Sequence, residues 1–212
     1  MVRPKTIYLI RHGQTDQNLQ RILQGSSIDA GLNETGRVQA EHFYDRYRYV
    51  PFDLIITSGL RRTRESVANF INAGIPWEPH SDINEICLGC YEGKLVTPEC
   101  RAEMKAVRAD WEAGKLDGRI GGGESARELG ERLNRFTEEL RGRPERIILV
   151  CSHAGTMSGL ITRMMGKPMS KMTDLRHANL GLWTAEQGAD GRFTFHLMND
   201  RGHLPVAPTI TR

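Results

Sequence analysis

The chain has 212 residues, 39% of them hydrophobic and 26% charged, enough for one α/β domain with a substantial core. A formal charge of +3 and the lack of any Lys/Arg-dense run argue against a nucleic-acid partner. No apolar run approaches the roughly 18–20 residues that cross a bilayer, and the short apolar stretch 7–10 does not read as a signal peptide, so the expectation is a cytoplasmic protein with no membrane partner.

Residues 6–10 read as a buried β-strand that stops at Arg11-His12-Gly13. Asn33 or Thr35 caps a helix to about Tyr47, and 52–57 (FDLIIT) is a second strand. A helix is predicted over 60–73, with Ser58 as N-cap and Gly74 as its stop. Another spans 99–113, where Met104, Val107 and Trp111 form an apolar stripe beside a basic one of Arg101, Lys105 and Arg108. Ser125 and Glu128 form a capping box that opens a helix to about Arg141. The run 146–152 (RIILVCS) has the continuous apolar character of a strand buried on both faces, and 155–165 is the helix after it. The last strands fall at 182–185 and 193–198, followed by an irregular tail from Gly202 that holds Pro205 and Pro208. Strands alternating with helices imply βαβ units, a mostly parallel sheet and a single domain over 1–212.

Among four cysteines, Cys87 and Cys90 form a C-x-x-C pair. A structural zinc site needs four ligands, and neither a second pair nor a paired-histidine motif is present. No helical pattern follows the pair directly, as a thioredoxin-like site requires, so its spacing is read as coincidental, with redox sensitivity as the alternative.

His12 and His153 each follow a predicted strand at its carboxyl end, where ligands bind in open α/β sheets, and Arg62 lies in the first turn after another. A desolvated cation such as Arg11 is costly unless an anion meets it. A phosphate monoester suits the pattern, because the planar guanidinium fork pairs with phosphate oxygens. Arg11 and Arg62 supply two such forks, with His153 and Asn18 as further donors. A neutral His12 is also a competent nucleophile, provided its other ring nitrogen is held by an acceptor. The reaction then needs a shared acid and base, for which Glu85 is the candidate and Glu92 and Glu124 are runners-up on spacing.

The segment LIRHGQTDQN (9–18) resembles the signature of the histidine phosphatase superfamily, the phosphoglycerate mutase-like proteins. The resemblance continues through RILQGSSIDAGLNETG (21–36), which carries Gly31 where the family usually has Pro. It extends to TSGLRRTRES (57–66), INEICLGCYEG (83–93), GGGES (121–125) and VCSHAG (150–155). It implies a three-layer α/β/α sandwich, a phosphohistidine on His12, phosphate bound by Arg11, Asn18, Arg62 and His153, and Glu85 as proton donor and then base. No metal or other cofactor is implied, and a homodimer is the assembly that the resemblance suggests. Mutases of the family usually carry Thr-Gly-Trp where this chain has Leu23-Gln24-Gly25, and a longer middle insertion. Gln24 and Gly25 are taken as substrate contacts, residues 94–121 as an active-site cap, and NDRGHL (199–204) resembles a tail of the phosphatase-like branch. The expectation is therefore a phosphomonoesterase acting on a small anionic ester. A cofactor-dependent phosphoglycerate mutase is the first alternative and a non-catalytic phospho-ligand module the second. The Arg101/Lys105/Arg108 stripe is weighed as a contact for a second anionic group against a plainly solvated helix face.

Overall fold

A computed structural model describes residues 5–205, so Pro208 of the predicted tail lies outside the described residues. Six strands form one sheet: β1 (Lys5–Arg11), β2 (Leu54–Thr57), β3 (Trp77–Pro79), β4 (Ile147–Ser152), β5 (Leu182–Gln187) and β6 (Phe193–Asp200). Their order is β3-β2-β4-β1-β5-β6. The first four in that order run parallel, whereas β5 is antiparallel to β1 and β6 to β5. Strand order switches around β4 and β1, the pair that carries His12 and His153 just beyond its ends.

Alternation along the strands sends apolar side chains to both faces, as a period of two requires. Ile7, Leu9, Ile148 and Val150 pack with α6 (Ala126–Gly142) and α7 (Ala154–Met164) through Leu129, Leu133, Phe136, Leu160 and Ile161. Ile10, Leu149 and Cys151 meet Phe43 of α2 (Glu34–Tyr47) and Phe70 of α4 (Ala68–Asn72) on the opposite face. Helices on both faces of a mostly parallel sheet make the expected three-layer α/β/α sandwich.

Local chemistry explains most boundaries. Asn33, rather than Thr35, caps α2 by accepting from the Gly36 N–H. The Ser125–Glu128 capping box opens α6 as predicted. The helix expected over 60–73 is instead two short helices, α3 (Arg61–Ser66) and α4, divided at Val67 with φ −122°. Ser58 is not its N-cap residue: that position is Leu60, and Ser58 Oγ accepts from the Leu60 N–H at 3.1 Å. A five-residue helix, α1 (Asp16–Gln20), and the short β3 were not anticipated. The remaining long helix is α5 (Pro98–Glu112), capped by Thr97.

Two glycines let the loop after β1 lie against the first turn of α2. A Cβ on Gly36 would sit 2.1 Å from the Gln14 carbonyl oxygen, and one on Gly13 would sit 2.8 Å from that of Gly36. Both obstacles are backbone. Gly36→Ala is therefore expected to destabilise the fold by about 1–3 kcal/mol through overpacking, read as a lower urea midpoint at unchanged slope.

Candidate active site

His12 continues the β1 ladder by donating its backbone N–H to the Ser152 carbonyl at 3.0 Å, which fixes its place beside β4. Its ring is buried, and Nδ1 lies 2.7 Å from the Gly13 carbonyl oxygen. A carbonyl can only accept, so Nδ1 carries the proton and Nε2 keeps its lone pair. Burial, followed by the charges of Arg11 and Arg62, holds His12 well below the ordinary imidazole value. The ring is therefore neutral.

The His153 ring stands 5.2 Å from that of His12, centroid to centroid. Arg62 Nε donates to its Nδ1 at 3.1 Å, so the His153 proton resides on Nε2, which donates to Ser58 Oγ at 2.8 Å. Burial and then Arg62 hold His153 well below its usual value too. Arg62 is almost fully enclosed, and its terminal nitrogens donate to the carbonyls of Ile28 at 2.6 Å and Gly25 at 3.0 Å. Gly25 thus meets the site through its backbone, with Arg62 as its partner.

Arg11 donates to the His177 carbonyl at 3.0 Å, and its buried Nε has no hydrogen-bond partner. Burial pulls its guanidinium below the ordinary value, while the Glu85 carboxylate opposes that shift. Asn18 Oδ1 accepts from the Thr15 N–H and from Asn179 Nδ2, each at 3.3 Å. Asn179 also donates to the His12 carbonyl at 2.9 Å, tying α1 to the end of β1. Gln24 is buried with Oε1 unpartnered. Among the described residues the polar groups left without partners thus include Arg11 Nε, whose guanidinium donates to the His177 carbonyl, and Gln24 Oε1, next to the Gly25 carbonyl that accepts from Arg62.

Glu85 accepts from the N–H groups of Ile86 and Thr156, each at 3.0 Å, and of Gly155 at 3.3 Å. This seats its carboxylate on the N-terminal turn of α7, directly after His153. A Cβ on Gly155 would come within 2.9 Å of Glu85 Oε1, so glycine permits that approach. The other two carboxylates are engaged elsewhere. Glu92 accepts from the N–H groups of Ser27 and Leu88 at 2.7 Å and of Ser26 at 3.1 Å. Burial pushes Glu92 up, but those bonds and the Ser27 hydroxyl outweigh it and hold the group below its usual value. Glu124 forms a two-pronged ion pair with Arg132 at 2.6 and 2.8 Å.

The basic stripe predicted on α5 divides. All three are exposed, but only Arg108 lines a cavity of about 300 Å³ beside Gly155; Arg101 and Lys105 do not. Cys87 and Cys90 are free thiols, and among the described residues no group of three or more His, Cys, Asp or Glu side chains is placed to hold a metal. Ser58, His177 and Arg176 are the site neighbours that the sequence reading missed. Ser58 had been read as a cap, and the other two sit in an aperiodic stretch.

The neutral histidines carry a stability consequence. The unfolded chain protonates its histidines near pH 6.5, whereas His12, His153 and His177 stay unprotonated in the fold, His177 down to about 3. Below pH 6.5 the unfolded state binds more protons, so stability falls as pH falls. Each such group contributes at most about 1.4 kcal/mol per pH unit. Urea unfolding between pH 6.5 and 5 is expected to show this decline, with a shallower slope in His177→Phe.

A mostly parallel sheet here presents a neutral imidazole beside two desolvated guanidinium groups with a carboxylate close by, an arrangement suited to phosphoryl transfer. The family profile of the histidine phosphatase superfamily (branch 1) matches residues 7–201, and the chain belongs to that family. It is a phosphomonoester hydrolase of the histidine phosphatase type. One relative, named "Probable phosphatase C1687.21", from Schizosaccharomyces pombe, is 32% identical over 96% of this chain and 97% of its own length. Another, "Probable phosphoglycerate mutase GpmB" from Shigella boydii serotype 18, is 33% identical over 83% of this chain and 82% of its own. The crystal structure of the alpha-ribazole phosphatase from Shigella flexneri shares the fold, with a TM-score of 0.80 and 24% identity over 92% of this chain and 96% of that one.

Proposed function

We propose that the chain hydrolyses a small anionic phosphomonoester through a phosphohistidine on His12. The carrying observation is the Nδ1–H···O bond to Gly13, which leaves Nε2 bare in a ring kept neutral by burial and two arginines. Arg11 and Arg62 hold the phosphoryl oxygens, and Asn18, Gln24 and His153 complete the contacts. Arg62 does so while braced on the Gly25 and Ile28 carbonyls. His153 makes its contact with the proton it already carries, its Nε2–H turning from Ser58 Oγ to a phosphoryl oxygen.

In the first step His12 Nε2 attacks phosphorus, the bond to the ester oxygen breaks, and protonated Glu85 gives its proton to the departing alkoxide. In the second step the Glu85 carboxylate takes a proton from water, the water oxygen attacks phosphorus, and the N–P bond breaks. Inorganic phosphate leaves, and His12 returns to its starting tautomer. Residues 94–121, which include α5, form the cap of this site. The location is cytoplasmic, and the assembly a homodimer, which light scattering after size exclusion checks.

Quenching the enzyme with alkali during turnover of p-nitrophenyl phosphate should give an acid-labile phosphoryl label on the peptide holding His12. A label on another residue, or turnover that never labels His12, would overturn the mechanism. Isomerisation of a phosphoglycerate without net phosphate release would instead favour a mutase.

A further inference from the structure

Beyond the phosphoryl contacts, the cavity beside Gly155 runs between α5, α7 and the stretch 172–177. Its lining is mixed in a particular way. Trp111, Ile86, Leu88, Ile120, Met172 and Leu175 supply an apolar surface, while Arg108 and Arg176 arrive from two separate elements. Among the described residues neither arginine forms an ion pair: Arg176 donates to the Thr173 and Leu175 carbonyls at 2.8 and 3.0 Å, and Arg108 meets the carboxylates of Glu112 and Glu85 only as longer-range charges. The two charges oppose each other. After burial, the neighbouring Arg176 is the main influence pulling Arg108 below its ordinary value.

His177 adds an independent sign of a ligand. It is 8% exposed, lines the same cavity, and leaves both ring nitrogens without a partner. Buried polar atoms are rarely left so. Its carbonyl meanwhile holds Arg11, so one residue links the cavity wall to the phosphoryl site. Gly155 joins this cavity to the phosphoryl site: it lines the cavity, and a Cβ on it would come within 2.9 Å of Glu85 Oε1, although Glu85 itself lines the neighbouring cleft. At about 30 Å³ per water in the liquid, a cavity of 300 Å³ accommodates roughly ten non-hydrogen atoms. The neighbouring cleft on the other side of Glu85 differs, because its Arg119 and Arg132 are already paired with Glu128 and Glu124.

Resting on the phosphomonoesterase reading, we propose that this cavity receives the alcohol portion of the substrate, and that it selects esters whose alcohol joins an apolar body to a second anionic group held by Arg108 and Arg176. The apolar body lies against Trp111 and Met172, and His177 supplies a hydrogen bond to a polar atom along it. The second anion is an oxyanion, either a carboxylate or a second phosphoryl group.

The test pairs a binding measurement with a turnover measurement. Calorimetry compares phenylphosphonate, its para-carboxy derivative and 1,4-phenylenebisphosphonate, none of which needs hydrolysis. A charge-assisted contact predicts that at least one ligand with a second anionic group binds roughly 10- to 100-fold more tightly than phenylphosphonate. The arm that gains distinguishes carboxylate from phosphoryl. In Arg108→Gln/Arg176→Gln the ratio between that ligand and phenylphosphonate should collapse towards one, whatever happens to either affinity alone. Equal binding of all three by the native enzyme, or a ratio that survives the double substitution, would overturn the proposal. Turnover of phenyl phosphate and of its para-carboxy derivative is read separately: absence of both would sink the phosphatase reading, while the binding ratio still judges the cavity.

Discussion

His12→Ala should abolish phosphate release from p-nitrophenyl phosphate, lowering kcat by roughly 10⁴- to 10⁶-fold, the scale on which enzymes lose a covalent nucleophile or its activation. Among the described residues no second group in the site offers the same combination of a bare nitrogen and a fixed tautomer. The neighbouring His153 has Nδ1 turned to Arg62 and Nε2 turned to Ser58. Inorganic phosphate should still bind to the variant, because the guanidinium groups of Arg11 and Arg62 are held by the His177, Ile28 and Gly25 carbonyls rather than by His12. Retained phosphate binding with lost turnover separates removal of a nucleophile from collapse of the site. Residual turnover within tenfold of the native enzyme would rule out a phosphohistidine at this position.

Glu85→Gln should have the second-largest effect, and one that depends on the leaving group. An unactivated alkyl phosphate needs its departing oxygen protonated, so kcat should fall by roughly 10²- to 10⁴-fold, the usual worth of general acid–base catalysis. A nitrophenolate leaves without that help. With p-nitrophenyl phosphate the first step should survive and the second should not, because water then lacks its base. The expected record is a burst of about one nitrophenolate per active site, followed by slow turnover. Equal losses for both esters and no burst would assign the acid and base to another group. Glutamine can still accept from Thr156 and Ile86 through its amide oxygen, so the seat on α7 is preserved.

Much of this was legible because the relevant strands are buried on both faces. The runs 52–57 and 146–152 are almost wholly apolar, and strands with that character sit in the middle of a parallel sheet. From that placement His12 and His153 follow, since both lie one residue past paired strand ends. Choosing Glu85 over Glu92 and Glu124 did not come from spacing; it came from family resemblance, and the hydrogen bonds now show what the other two do. What stayed hidden was set by tertiary contacts. Ser58 has the composition of a cap, yet its hydroxyl faces His153, a partner 95 positions away. The helix 60–73 is continuous by propensity, but at Val67 it breaks beside Ser66, whose Oγ takes the Gly13 N–H at 2.8 Å and donates to Arg62 O at 2.7 Å. His177 and Arg176 lie in a stretch with no period to read, and only the closed chain brings them to the cavity.

The sheet order has a consequence for how the chain is made. β1 pairs with β4 on one side and β5 on the other, both of which emerge from the ribosome long after it. Until then its backbone N–H and C=O groups have no sheet partner, and closing so long a loop makes the pairing slow. The apolar row that ends in His12 is therefore an exposed, sticky segment through most of synthesis. The two histidines can meet only after β4 docks, so chains truncated before residue 147 should be inactive and prone to aggregate, whereas the β5–β6 hairpin can form locally as soon as it is complete.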